Sequence, residues 1–205
     1  MTGIRVRLLP GRAPERLTTP LVRPLAALGV SPHAVSVAAL AGSLGAAVLI
    51  ARGELALGGA AMLAAAALDS LDGALARLSG RASRLGALLD STFDRIAEAA
   101  VLGALLYHQL GLGHREESML AFTALAGSLL VSYVRARAEA EGVIVADGLL
   151  ARTERVLLLG AGLITGWIRV ALWLLAVLAL LTAAQRLLIA GKALRDRDAE
   201  RDGEP

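Results

Sequence analysis

The sequence predicts an all-α integral membrane protein, with six transmembrane helices behind an N-terminal amphipathic juxtamembrane helix and both termini cytoplasmic. Three observations carry that prediction: composition, uncharged runs and the placement of basic residues. Of 205 residues, 56% are hydrophobic but only 3% aromatic, and 22 glycines come on top of that. An ordinary soluble domain is about 45–50% apolar with glycine included. The apolar mass here is Ala, Leu and Val, which suits closely packed helices. The absence of cysteine excludes a disulfide scaffold, a Cys-ligated zinc or iron–sulfur centre and a thiol enzyme. The high apolar content excludes a disordered chain.

Residues 1–30 mix Arg5, Arg7, Arg12, Arg16 and Arg23 with Ile4, Leu8, Leu9, Leu17, Leu21 and Leu25. The pattern predicts a basic amphipathic segment on the inner membrane surface, broken at Pro20 and Pro24. Its arginines extend too far, with no cleavage site after a short apolar run, for a secretory signal. A helical membrane domain is expected over 31–190. Ser31-Pro32 starts its first span as an N-cap followed by proline at the first helical position, where the missing N–H costs nothing. The spans expected are 33–51, 55–78, 86–110, 118–140, 149–166 and 169–189. Residues 34–51 hold no charge in 18 positions, and 156–185 hold one, Arg169, in 30. A spanning helix needs roughly 20 apolar residues. The 30-residue run is therefore divided by a tight turn at Thr165-Gly166-Trp167, and the fifth span starts near Leu149. Residues 191–205 are expected to be a charged, disordered tail.

The 21 basic residues fix the orientation. Arg52, Arg115 and Arg169 fall at exterior ends. The other 18 fall at the N-terminal arm, the second-to-third and fourth-to-fifth connections and the C-terminal tail. Cytoplasmic enrichment of Lys and Arg puts both termini inside. A soluble bundle would instead scatter its arginines around each helix at a 3.6-residue period.

Four aspartates stand at ends of apolar spans, where an acid is expensive and a functional suspect by default. At about 100° per residue, Asp69 and Asp72 lie roughly 60° apart on the second span. Gly86, Asp90 and Asp94 follow at i, i+4 steps on the third. The connection between the two spans carries Arg77, Arg81 and Arg84, so their cytoplasmic ends are antiparallel neighbours and the carboxylate faces can meet. Four such carboxylates repel unless cations neutralise them, and oxygen-only ligands suit magnesium or manganese. Two divalent ions balance four charges, a recurring device in phosphoryl displacement. Gly73 and Ala76 leave the same face bare for a ligand. From spacing alone, an ion-coupled transporter using the same acids stays open beside an enzyme.

The segment Asp69 to Asp94, DSLDGALARLSGRASRLGALLDSTFD, resembles the CDP-alcohol phosphotransferase family. It matches all eight fixed positions of D-x2-D-G-x2-A-R-x8-G-x3-D-x3-D. The chance of that match is on the order of 10⁻¹⁰ per starting position from average residue usage. The resemblance implies six membrane helices, a homodimer, and transfer of a phosphatidyl group from CDP-diacylglycerol to an alcohol with release of CMP. It implies that Asp69, Asp72, Asp90 and Asp94 bind two divalent ions, Mg2+ or Mn2+, and that Asp94 is also the proton acceptor. It further implies that Gly73, Arg77 and Ser83, with His33, Ala34, Val35 and Ser36, contact the CDP-lipid.

A second set of blocks is similar to the actinobacterial phosphatidylinositol phosphate synthases: Arg16 to Pro20, Ser132 to Glu139, Arg152 to Arg155 and Gln185-Arg186. By that likeness Ser132, Arg135, Arg155 and Arg186 cradle the phosphate of inositol phosphate. Cations converging from three spans suit an anionic acceptor. The chain departs from those enzymes at Arg135, where they carry lysine, and at His33 and Ala151, where they carry acids. Another acceptor, such as glycerol 3-phosphate, therefore stays open. The partners expected are CDP-diacylglycerol and inositol phosphate as substrates, the lipid bilayer and a second copy of the chain, with no nucleic acid. The expected location is the plasma membrane, with the active site facing the cytoplasm.

Overall fold

The computed structural model describes residues 15–80, 83–145 and 148–202. Residues 1–14, 81–82, 146–147 and 203–205, and with them Arg5, Arg7, Arg12, Arg81 and Asp147, lie outside them. Among the described residues the regular structure is all helix, with no strand. Its elements are α1 (Glu15–Ala27), α2 (Pro32–Ala51), α3 (Leu55–Leu78), α4 (Arg84–Gly111), α5 (Arg115–Ala140), α6 (Arg152–Thr165) and α7 (Ile168–Asp202).

The helix starts follow from local chemistry. At α2 the Ser31 side chain accepts from the Ala34 N–H at 3.1 Å, and Pro32 fills the first helical position. At α4, Ser83 accepts from the Gly86 N–H at 3.0 Å. At α6 the Glu154 carboxylate reaches back and accepts from the Ala151 N–H at 2.6 Å, so an acid inside the helix satisfies the N-cap backbone where the alanine side chain caps nothing. Gly166, at φ 78°, makes the left-handed turn expected between α6 and α7.

Helices α2 to α7 pack as a ring: α3 against α2, then α4, α5, α7 and α6, which returns to α3. All six helices meet in one apolar core, with Ile50, Met62, Leu105, Ala121, Leu163 and Leu172 among its buried members. Small residues let the backbones approach, as in membrane bundles generally. A Cβ on Gly59 would stand 2.8 Å from that of Leu163, and one on Gly162 would run into that of Ala171. Near the start of α7, Arg169 hydrogen-bonds Glu117 of α5 at 2.8 Å, which gives the lone charge of the long apolar run a partner.

Four helices are long and apolar enough to cross a membrane: α2, α3, α5 and α7. The other two differ for separate reasons. Helix α4 has the length but carries Asp90, Asp94, Arg95 and Glu98. Helix α6 has 14 residues, about 21 Å at 1.5 Å per residue, short of a hydrocarbon core of roughly 30 Å.

Two expectations differ from the structure. Helix α1 continues through Pro20 and Pro24 instead of breaking there. The two prolines are spaced i, i+4 and exposed, so the defect falls on one outward face. The opposite face holds α1 in place: Val22 is fully buried with Val35, Ala74 and Leu75 between the start of α2 and the end of α3. At the other terminus, residues 191–202 are not a disordered tail but continue α7. Ala190, Ala193 and Leu194 pack against Ala138, Val143 and Val145. Beyond them Arg197 donates to the carbonyls of Glu141 and Gly142 at 3.1 and 3.0 Å. Burial and these bonds offset the entropy of ordering a charged segment.

Candidate active site

The site is built where the last turns of α3 meet the first turns of α4. Asp69, Asp72 and Asp90 each bring a carboxylate oxygen to within 4.8 Å of the others. Asp72 is buried, and the hydroxyl of Ser36, one helix away on α2, donates to its Oδ2. Ser36 also lies 3.2 Å from the Pro32 carbonyl, but a hydroxyl has one proton and the charged acceptor binds it more strongly.

Asp94 joins this group through a cation rather than directly. The Nη1 of Arg152, at the start of α6, stands 2.8 Å from Asp69 Oδ2 and 2.8 Å from Asp94 Oδ1. It hydrogen-bonds Asp69. Its contact with Asp94 is one of charge only, so the buried Asp94 Oδ1 has no hydrogen-bond donor among the described residues. A hard divalent ion suits this donor set of clustered carboxylates, one of them with a buried oxygen that no hydrogen bond satisfies. The fit to such a metal is good.

Beside the acids opens a cavity of about 1000 Å³. Asp90 and Asp94 line one part of it, and Ser132, Arg135, Arg155 and Arg186 line another. All four expected acceptor residues, from α5, α6 and α7, thus share one chamber with two of the expected metal ligands. They are not equally free. The Arg155 guanidinium is held by both oxygens of Glu98, and Arg186 donates to the Val131 carbonyl at 3.0 Å. Arg135 pairs with Glu139 at 2.8 Å at the exposed rim.

The expected CDP-lipid residues do not line this cavity. Ser83 and His33 meet across Gly86, where a Cβ would stand 3.1 Å from Ser83 Oγ and 3.3 Å from the His33 ring. Arg77 folds back over Gly73, whose missing side chain leaves its Nη1 3.5 Å from where a Cβ would be. Ala34 is exposed. Val35 turns its side chain into the α1–α3 apolar cluster, which leaves only its backbone for a ligand.

Among the lining residues given no role in the sequence are the charged Arg95, Glu98 and Arg152. Glu98 had a legible signal, since Asp90, Asp94 and Glu98 follow at i, i+4 steps along one face of α4. Arg152 falls in one of the family-like blocks, but nothing near it in the chain pairs it with Asp69 and Asp94.

Residues 30–187 match the family model described as CDP-alcohol phosphatidyltransferase. The chain is 37% identical over 217 residues to the phosphatidylinositol phosphate synthase of Mycobacterium marinum, covering 93% of this chain and 92% of the relative. It is 38% identical over 181 residues to the synthase of Mycobacteroides abscessus, covering 84% and 82%. Among solved structures, it is similar to the Mycobacterium tuberculosis synthase with CDP-DAG bound, at a TM-score of 0.79 and 33% identity over 85% of this chain and 94% of that one. The same synthase in complex with manganese and citrate aligns at a TM-score of 0.78 and 33% identity, over 84% and 88%.

Proposed function

The chain belongs to the CDP-alcohol phosphatidyltransferase family, and from that premise we propose that it transfers the phosphatidyl group of CDP-diacylglycerol to inositol 1-phosphate. The products are phosphatidylinositol phosphate and CMP. One observation carries the choice of acceptor: the arginine-lined cavity opens onto Asp90 and Asp94. Free inositol needs no cluster of cations, whereas an acceptor already bearing a phosphate does. The names of the similar synthases support the same acceptor.

In this reading Asp69, Asp72, Asp90 and Asp94 hold magnesium, or manganese, as a pair of ions. When bound, the metal supplies charge neutralisation at the pyrophosphate and at the departing CMP. The protein's own groups do the rest. Arg77 and Ser83, with Gly73 leaving room, grip the CDP moiety near His33. Ser132, Arg135, Arg155 and Arg186 hold the acceptor phosphate, which turns the inositol hydroxyl toward Asp94. The Asp94 carboxylate takes the hydroxyl proton. The oxygen then bonds to the phosphorus that carries diacylglycerol, and the bond from that phosphorus to the cytidylate oxygen breaks.

The membrane arrangement belongs to the same proposal. Helices α2 to α7 are six spans of the plasma membrane with both termini and the site on the cytoplasmic side, and the enzyme is a homodimer. The closed six-helix packing and the basic residues gathered at one end support the topology. The family likeness supports the dimer. The charges of α4 face the shared cavity rather than lipid, as spanning helices with acids require.

The test is a CMP-release assay with purified protein in lipid nanodiscs, CDP-diacylglycerol and magnesium. Inositol 1-phosphate, glycerol 3-phosphate, free inositol and phosphatidylglycerol are offered in turn. Inositol 1-phosphate is expected to give the fastest release. A response to glycerol 3-phosphate alone would overturn the acceptor and keep the reaction.

A further inference from the structure

Arg155 and Glu98 form a buried ion pair between α6 and α4, with side chains 4% and 11% exposed. The Arg155 Nε and Nη2 donate to the two Glu98 oxygens at 2.7 and 3.0 Å, and Nη1 donates to the Leu150 carbonyl at 3.3 Å. Buried Ser128 of α5 adds a hydrogen bond to Glu98. A guanidinium carries five N–H donors. Three are committed to protein, which leaves one on each Nη while the plane of the group is pinned. Both residues line the cavity that also holds Asp94, one helical turn before Glu98 on α4.

A buried pair of this kind is a poor source of stability, because desolvation consumes most of the attraction and apolar residues of the same volume do as well or better. Orientation is what the bidentate contact supplies. An arginine on a long flexible stem loses rotamer freedom when it grips phosphate, and a guanidinium already locked in place has little left to lose.

We propose that Glu98 is a positioning residue for the acceptor: it presents Arg155 in a fixed orientation to the acceptor phosphate and so contributes to the preference for a phosphorylated alcohol. The proposal rests on the reading of Arg155 as a phosphate ligand. Glu98→Gln keeps the volume but turns an amide NH2 toward guanidinium donors. One hydrogen bond is lost, one repulsive contact is made, and Arg155 is freed to turn.

The experiment measures kcat and the KM of each substrate for the wild type, Glu98→Gln, Arg155→Gln and the double variant, by CMP release in nanodiscs. Glu98→Gln is expected to raise the KM for inositol 1-phosphate at least about 10-fold, the loss typical of one hydrogen bond to a charged group. The KM for CDP-diacylglycerol is expected to stay within about 2-fold, since no residue assigned to that substrate touches the pair. In the Arg155→Gln background the Glu98 substitution is expected to add nothing, as it acts only through Arg155. An unchanged acceptor KM in Glu98→Gln, additive effects in the double variant, or equal loss for both substrates would each overturn the proposal. If Glu98→Gln does not fold, Glu98→Asp, which keeps the charge and shortens the reach, is judged by the same criteria. Failure of the underlying reading looks different: the wild type then ignores phosphorylated acceptors, or Arg155→Gln leaves the acceptor KM unmoved.

Discussion

Replacing Ser36 with alanine separates two roles for one hydroxyl. The likeness to the family puts Ser36 at the CDP-lipid, whereas its proton goes to Asp72 Oδ2. Both residues are buried, each at 7% exposure, so water does not replace the lost donor. Alanine is a good helix former, and the change removes one oxygen from the interior of α2, so the fold is expected to survive. The freed carboxylate is less well oriented, which weakens a metal ligand. Removing such an outer-shell partner typically costs 10–100-fold in metal affinity, or about 1.4–2.7 kcal/mol. The assay is a Mn2+ titration of detergent-solubilised protein, with free ion followed by electron paramagnetic resonance. Ser36→Ala is expected to weaken Mn2+ binding by at least about 10-fold, and Ser36→Thr, which keeps the hydroxyl, to bind close to wild type. Wild-type Mn2+ affinity in Ser36→Ala together with a raised KM for CDP-diacylglycerol would refute the reasoning and put the hydroxyl on the lipid.

Asp94→Asn is expected to lower kcat for CMP release by about 10²–10⁴, the usual yield of a positioned general base; a loss under about 3-fold would remove Asp94 from the proton transfer. Chelation with EDTA should abolish release and added Mg2+ restore it, and turnover that persists in chelator would end the metal reading. Gly162→Ala forces a Cβ against that of Ala171. It should destabilise the α6–α7 contact by about 1–3 kcal/mol, visible as a lower melting temperature in the fluorescence of Trp167 and Trp173 beside that turn. The natural chain has no cysteine, so Glu54→Cys and Glu141→Cys each supply a single label. A membrane-impermeant maleimide should reach them from opposite sides of sealed vesicles, and labelling from one side would contradict the topology.

Much of the fold was legible in one dimension because a bilayer imposes a one-dimensional rule. Apolar runs, the Ser31-Pro32 start and the turn at Gly166 located the starts of α2 to α7 to within a few residues, since each depends on its own near neighbours. The spacing from Asp69 to Asp94 likewise put two acids on one face of each of two consecutive helices. What reached across the chain was not legible. Arg152 meets Asp69 from 83 positions away and Arg155 meets Glu98 from 57. No periodicity records which of several arginines at a membrane face turns inward. The same limit explains α1 and α7: propensity alone stops a helix at Pro20 or in a charged tail, and packing against α3 or the end of α5 carries it on. Local spacing by itself determined where the helices run and which acids share a face. Only the folded ring decided which cation meets which acid, because that choice depends on the distances between helices, and those are set by side chains far apart in the chain.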